Sequence, residues 1–188
     1  MKELLLMCGI PGSGKSTVAK GLLKQAEFTD ETITYISRDD IRFEMLKGTE
    51  DYEAAFSNRD TATTEEEIEY IQRHYFSKED EVYAKFIEKI KEGLASSDLT
   101  IADATHLSAG ARSKLLRALG KSLKGIEVNI LVMDIPLMDA LAQNENRKGT
   151  ITYVPPKTII NMYKSFTKPE FDEGFTNIYY WSKEKFNE

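Results

Sequence analysis

Leu4-Leu-Leu-Met-Cys-Gly-Ile-Pro-Gly-Ser-Gly-Lys-Ser-Thr17 is the stretch from which the fold is read. A short apolar run ends at Cys8 and reads as a buried strand. Gly9, four residues, then Gly14, Lys15 and Ser16 spell the phosphate-binding loop G-x-x-x-x-G-K-[ST]. The chemistry explains each letter. Gly9, Gly12 and Gly14 let the backbone turn tightly and point its N–H groups at phosphate oxygens, with Ser13 between them. Lys15 reaches the β- and γ-phosphates, and the Ser16 hydroxyl holds Mg²⁺. A helix opening at Lys15 and running through Thr17 aims its positive end at the same anions. Pro11 fits a loop and not a central strand. The motif predicts nucleoside triphosphate binding and leaves open what becomes of the phosphate.

Outward from that loop, strands and helices alternate. The first helix should end near Glu27, and Ile33–Ile36 alternates as a second strand. Leu99–Asp103 reads as a third strand, Ile126–Met133 as a fourth and Phe175–Trp181 as a fifth. Val82, Phe86, Ile90 and Leu94 form a helical core stripe, and Ser77–Asp80 before them resembles a capping box. Residues 47–64 read as an exposed polar excursion. Ser108–Leu123 reads as a basic amphipathic helix whose charged face includes Arg112, Lys114 and Arg117. The pattern implies an α/β fold of the P-loop NTPase class, a five-stranded parallel sheet flanked by helices, in a single domain over residues 1–188.

With 188 residues, the chain can bury a sizeable core. Its one cysteine, Cys8, cannot form an intramolecular disulfide and reads as a small buried residue. No run reaches membrane-spanning length, and the N-terminal apolar run is too short for a signal peptide. A cytoplasmic protein with no membrane partner is expected. The net charge of −6 argues against a dedicated nucleic-acid coat but allows a local basic groove.

Acids end two of the strands. Asp39 follows the second strand, at the rim where parallel sheets bind ligands, and shares a helical face with Arg42. A kinase acting on a hydroxyl needs a carboxylate to orient it and take its proton. Asp39 can do that, or Asp39 and Asp40 can simply cap the next helix. Asp103 ends the third strand, where such an acid sits near the metal's water shell or the substrate. His106 follows closely and reads either as a residue lining the site or as a plain rim histidine, and His74 has no partner at ligand spacing. Residues 143–152, with Arg147 and Lys148, read as a lid whose arginine can stabilise charge on the transferring phosphoryl group.

Taken together, Gly9-x-Pro-Gly-Ser-Gly-Lys-Ser-Thr17, Arg38-Asp-Asp-x-Arg42, Asp103-Ala-Thr-His-Leu107, Asn144-Glu-Asn-Arg147, Val154-Pro155 and Met162-Tyr-Lys-Ser165 follow one another as in the kinase domain of phage polynucleotide 5'-kinases, which most of the chain resembles. The resemblance implies ATP and Mg²⁺ as cofactors and the 5'-hydroxyl end of DNA or RNA as acceptor. By it, Asp39 is the general base, Arg42 engages the terminal phosphodiester, Asp103 lines the acceptor site and Arg147 contacts the β- and γ-phosphates. It also implies action in a host cytoplasm if the chain is phage-encoded. A separate phosphatase or ligase partner would complete a repair, and a homo-oligomer is left open. The chain is too short to hold the phage enzyme's C-terminal phosphatase domain. His106 replaces an asparagine of the family pattern, and an extra lid residue lets either Arg147 or Lys148 serve as the phosphate contact.

Two other functions fit parts of this pattern. A small-molecule phosphotransferase acting on a nucleoside, sugar or antibiotic hydroxyl would use the same loop, acid and lid. A nucleoside monophosphate acceptor fits less well, because Asp39 would repel it. A nucleotide-dependent switch fits less well, because the chain has no Asn-Lys-x-Asp motif and no Asp-x-x-Gly after the third strand, and a switch would have no use for Asp39, Arg42 and Arg147 together.

Overall fold

The computed structural model describes residues 2–56 and 65–182. Five parallel strands, β1 (Glu3–Cys8), β2 (Ile33–Ser37), β3 (Leu99–Asp103), β4 (Glu127–Met133) and β5 (Asn177–Trp181), form one sheet in the order β2-β3-β1-β4-β5. The P-loop architecture expected from the sequence is therefore present. β1 lies at the centre, which is why it reads as an unbroken apolar run: both of its faces are covered. Leu4, Leu6 and Cys8 face Phe86, Ile90 and Leu94, with Leu115 and Leu119 beyond. Leu5 and Met7 face the opposite way, onto Val18, Ala19 and Leu22 of the first helix, α1 (Lys15–Ala26). A third cluster, including Ile10, Ile135, Ala140 and Ile159, supports the loop after β4.

The connections are helical: α2 (Arg38–Lys47), α3 (Glu50–Phe56), α4 (Glu65–His74), α5 (Glu79–Ser96), α6 (Ala109–Leu119), α7 (Leu137–Glu145) and α8 (Pro156–Lys164). Three details depart from the sequence expectations. Residues 50–56 of the polar excursion form α3, while 57–64 lie outside the described residues. The Ser77 hydroxyl does not cap α5: the helix starts one residue later than a box at Ser77 requires, with Lys78 as its N-cap and no side-chain bond there. Arg112 leaves the charged face of α6. Its guanidinium is fully buried, pairs with Glu173 at 2.7 Å and donates to the backbone carbonyls of His106, Leu107 and Thr167. A helix-periodicity argument cannot foresee that, because the partners lie up to 61 residues away. No helix among the described residues is long and apolar enough to cross a membrane.

The register brings the strand ends level. Met7 of β1 and Ser37 of β2 both stand opposite Asp103 of β3. β1 runs out between β3 on one side and β4 on the other, the switch point at which α/β sheets open a crevice.

Candidate active site

The loop after β1 closes on itself. Ser13 N–H bonds the Ile10 carbonyl at 3.2 Å, and Gly14 caps α1 in the left-handed region with φ 88°. Gly12 is also left-handed, φ +81°, and a Cβ there would stand 2.2 Å from the Ala140 carbonyl oxygen. Glycine is therefore required twice over, for the turn and for the approach of α7. The Ser13 hydroxyl is buried in this loop with no partner. Lys15 Nζ folds back onto the carbonyls of Gly9 and Ile10, at 2.8 and 3.0 Å. Enclosure lowers the Lys15 pKa from its ordinary value, Asp103 and Asp39 pull it the other way, and Arg147 adds to the lowering. Thr17 is exposed on the first turn of α1.

Asp103, nearly buried, accepts two hydrogen bonds on its Oδ2. One comes from the Ser16 hydroxyl at 2.7 Å and one from the Tyr35 hydroxyl at 2.6 Å. Burial and Asp103 both push the Tyr35 pKa up, so the phenol stays a donor. A hydroxyl beside a carboxylate is a hard-oxygen donor set of the kind Mg²⁺ prefers. Together with the orphaned Ser13 hydroxyl, this cradle fits a metal–triphosphate. Asp103 thus stands beside Ser16, on the metal side of the rim. Tyr35 was not singled out from the sequence, where a tyrosine in a β-branched strand reads as packing.

Asp39 lies in the first turn of α2, whose N-cap is Ser37: the Ser37 side chain accepts from Asp40 N–H at 3.1 Å. Neither Asp39 nor Asp40 caps the helix. Asp39 is instead gripped by Arg42 three residues on and by the Tyr75 hydroxyl at 2.7 Å, both on Oδ1. Its side chain is otherwise 63% exposed. Arg42 is itself nearly buried. Glu79 takes its Nε at 3.0 Å and its Nη2 at 2.9 Å, and the guanidinium lies 4.4 Å from the Tyr75 ring centre. Burial works against the Arg42 charge, but Tyr75, Asp39 and Glu79 together raise its pKa. Glu79 also pairs with Arg38. Arg42, expected at a phosphodiester, is thus engaged by Asp39 and Glu79, and reaching a phosphate would require it to leave Glu79. Glu79 and Tyr75 were missed in the sequence, where they read as a helix-start acid and a helix-end aromatic.

The two cations expected of a lid separate. Lys148 pairs with Glu145 at 3.0 Å, whereas Arg147 lies near enough to Lys15 to act on its charge. Asn144 is buried and holds Val154 in both directions, donating from Nδ2 to the carbonyl at 2.7 Å and accepting on Oδ1 from the N–H at 3.1 Å, which ties the end of α7 to the residues before α8. His106 is buried too, with φ 46° and a ring nitrogen 2.8 Å from the Met7 carbonyl. Burial lowers its pKa to about 4, and it works as a brace between β3 and β1. Asparagine and histidine are among the residues that tolerate this backbone region. Cys8 is buried and donates to the His106 carbonyl at 3.4 Å, and burial raises its thiol pKa to about 11. His74 binds the Tyr70 carbonyl within its own helix. No cluster of three or more metal-ligating His, Cys, Asp or Glu occurs among the described residues.

The profile of one protein family, described as an AAA domain, matches residues 4–169. A protein of Autographa californica nuclear polyhedrosis virus, named as a proposed bifunctional polynucleotide kinase/RNA ligase, is 28% identical over 169 residues. That match covers 89% of this chain and 21% of the viral protein, so the chain spans about a fifth of its relative. Among solved structures, Chaetomium thermophilum Kti12 in complex with ADP-AlF3 superposes with a TM-score of 0.64 at 16% identity, over 96% of this chain and 89% of that one. A fungal RNA kinase gives 0.51 at 10% identity, over 96% and 38%. The PezAT toxin–antitoxin system of Streptococcus pneumoniae gives 0.57 at 18%, over 98% and 68%. At these identities the structural likenesses establish the P-loop fold.

Proposed function

The chain belongs to this AAA-domain family of P-loop, kinase-like nucleotide-binding domains, and from that premise we propose that it is an ATP-dependent polynucleotide 5'-hydroxyl kinase. The observation that carries the reading is the state of Asp39. One carboxylate oxygen takes both the Arg42 and the Tyr75 hydrogen bonds, while Oδ2 has no hydrogen bond among the described residues. A carboxylate so oriented at the rim suits a hydroxyl acceptor. The acceptor O–H gives its proton to Oδ2, its oxygen bonds the γ-phosphorus, and the bond from that phosphorus to the β–γ bridging oxygen breaks, releasing ADP. Residues Gly9–Ser16 hold the phosphates, and Arg147 stabilises the charge that spreads over the transferring group. The Ser16 hydroxyl, with Asp103 beside it, would hold Mg²⁺, which would supply charge neutralisation at the phosphate oxygens. The viral relative's name supports a polynucleotide as acceptor. The expected place of action is the cytoplasm, and a separate phosphatase or ligase partner and a homo-oligomer belong to the same proposal.

The test is transfer of label from γ-labelled ATP with Mg²⁺ to 5'-hydroxyl DNA and RNA oligonucleotides, with nucleosides and nucleoside monophosphates alongside. We expect labelled 5' ends. Asp39→Asn should lower kcat by about 10²–10⁴-fold while nucleotide binding persists. Unlabelled oligonucleotides beside a labelled small acceptor would overturn the polynucleotide reading. A small hydroxyl acceptor is the second reading, favoured by the net charge of −6 and by Asp39, Asp40 and Glu79 gathering near the acceptor side. Added salt separates the two, because polynucleotide binding weakens steeply through counterion release.

A further inference from the structure

Phe76 is 62% exposed, a large apolar ring left in water in the turn between α4 and α5. It is held one side chain away from the proposed base. Its ring meets Tyr75 edge-on at 4.7 Å between centres, and Tyr75 in turn bonds Asp39. The Arg42 guanidinium lies 5.5 Å from the Phe76 ring centre. The turn that carries it is pinned at both ends: Ser77 N–H bonds the His74 carbonyl at 2.9 Å, and Glu79 is fastened to Arg38 and Arg42 of α2. Other exposed aromatics do not share this setting. Phe28 follows the far end of α1, and Tyr179 and Tyr180 belong to the edge strand β5.

We propose that Phe76 is the stacking platform for the 5'-terminal nucleobase of the acceptor, with Tyr75 and Arg42 as its backing. The inference rests on the polynucleotide reading above and names the acceptor subsite that reading requires. One sugar ring separates a 5' oxygen from its base, so an acceptor whose hydroxyl meets Asp39 carries its base toward the same turn. Aromatic stacking accepts every base, because every base has a π-face. It also gives binding to a strand end without a basic surface, which suits a chain of net charge −6.

The experiment compares two 5'-hydroxyl oligonucleotides, one with an ordinary terminal nucleoside and one whose terminal sugar is abasic. Wild-type protein should prefer the first by roughly ten- to a hundredfold in kcat/KM, the scale of one base–aromatic stack. Phe76→Ala should bring the ratio toward one through the oligonucleotide KM, with the KM for ATP unchanged. Phe76→Trp should keep the preference. An unchanged ratio in Phe76→Ala, or an equal loss on both acceptors, would overturn the inference. Wild-type labelling that ignores the terminal base sinks this subsite alone. Failure of the wild type to label any oligonucleotide sinks the acceptor reading and the subsite with it.

Discussion

The phosphate loop and the Asp39 cluster lie on the same rim but are built by opposite means. The loop is one contiguous stretch, Gly9–Thr17, and its binding groups are main-chain N–H groups. A distant side chain, Asp103, supports it at Ser16 and is tied to Tyr35. The proposed acceptor side is made of side chains from three places: Asp39 and Arg42 of α2, Tyr75 of the turn between α4 and α5, and Glu79 of α5. The difference follows from charge. A triphosphate can be held by dipoles that the backbone supplies locally. A carboxylate proposed to accept a proton at a half-open rim is oriented by an external cation, and that cation needs a counter-charge of its own. Arg42 is the first and Glu79 the second.

Four substitutions press on this contrast. Gly12→Ala should hurt most, because it places a Cβ against the Ala140 carbonyl at a left-handed position. Nucleotide affinity should fall by about a hundredfold, read by fluorescent-nucleotide titration. Unchanged affinity would mean that the loop is not the rigid backbone device described here.

The brace beneath the loop comes next. His106 is neutral when folded, its pKa lowered from 6.5 to about 4. Below pH 6.5 the unfolded chain takes up a proton that the folded chain refuses. Stability present above that value is therefore lost as pH falls toward 4, by about 2 kcal/mol at pH 5. Urea unfolding at pH 7 and pH 5 measures the loss, and His106→Asn should remove His106's share of the slope.

On the acceptor side, Glu79→Gln weakens the hold on Arg42. It should lower kcat/KM for the acceptor about tenfold with no change in nucleotide affinity. An equal effect on nucleotide would erase the distinction between the two halves. Tyr35→Phe should be mildest. Losing one hydrogen bond to Asp103 should cost about fivefold in kcat. The Mg²⁺ concentration for half-maximal rate should rise, which a purely packing tyrosine would not cause.

The parts that were legible share one property. The loop, all five strands and the α1 start depend on residues adjacent in the chain, where hydrophobic runs, glycines and a Gly-Lys-Ser turn act over one or two helical turns. Asp39 and Arg42 were legible as a pair for the same reason, being three apart on α2. Arg147 and Lys148 were legible as neighbouring cations, though their separation needed the Glu145 pair. Arg112 was misread because amphipathic spacing weighs a side chain by its own polarity. Its true environment is the distant Glu173 and Thr167 carbonyl, with the nearer His106 and Leu107 carbonyls beside them. His106 likewise looked like a rim residue, since nothing local reveals that its ring would turn inward onto Met7.

By itself, then, the sequence determined the sheet, the phosphate loop and the presence of an acid at each of two strand ends. Only the tertiary structure decided what those acids do. Asp103 was given to Ser16 and Tyr35, and Asp39 to Arg42 and Tyr75, with Glu79 behind them. The physical reason is range. Backbone conformation answers to neighbours in the chain, whereas a carboxylate's role is set by the charges and donors within a few ångströms. Folding brings those together from residues up to 87 positions apart.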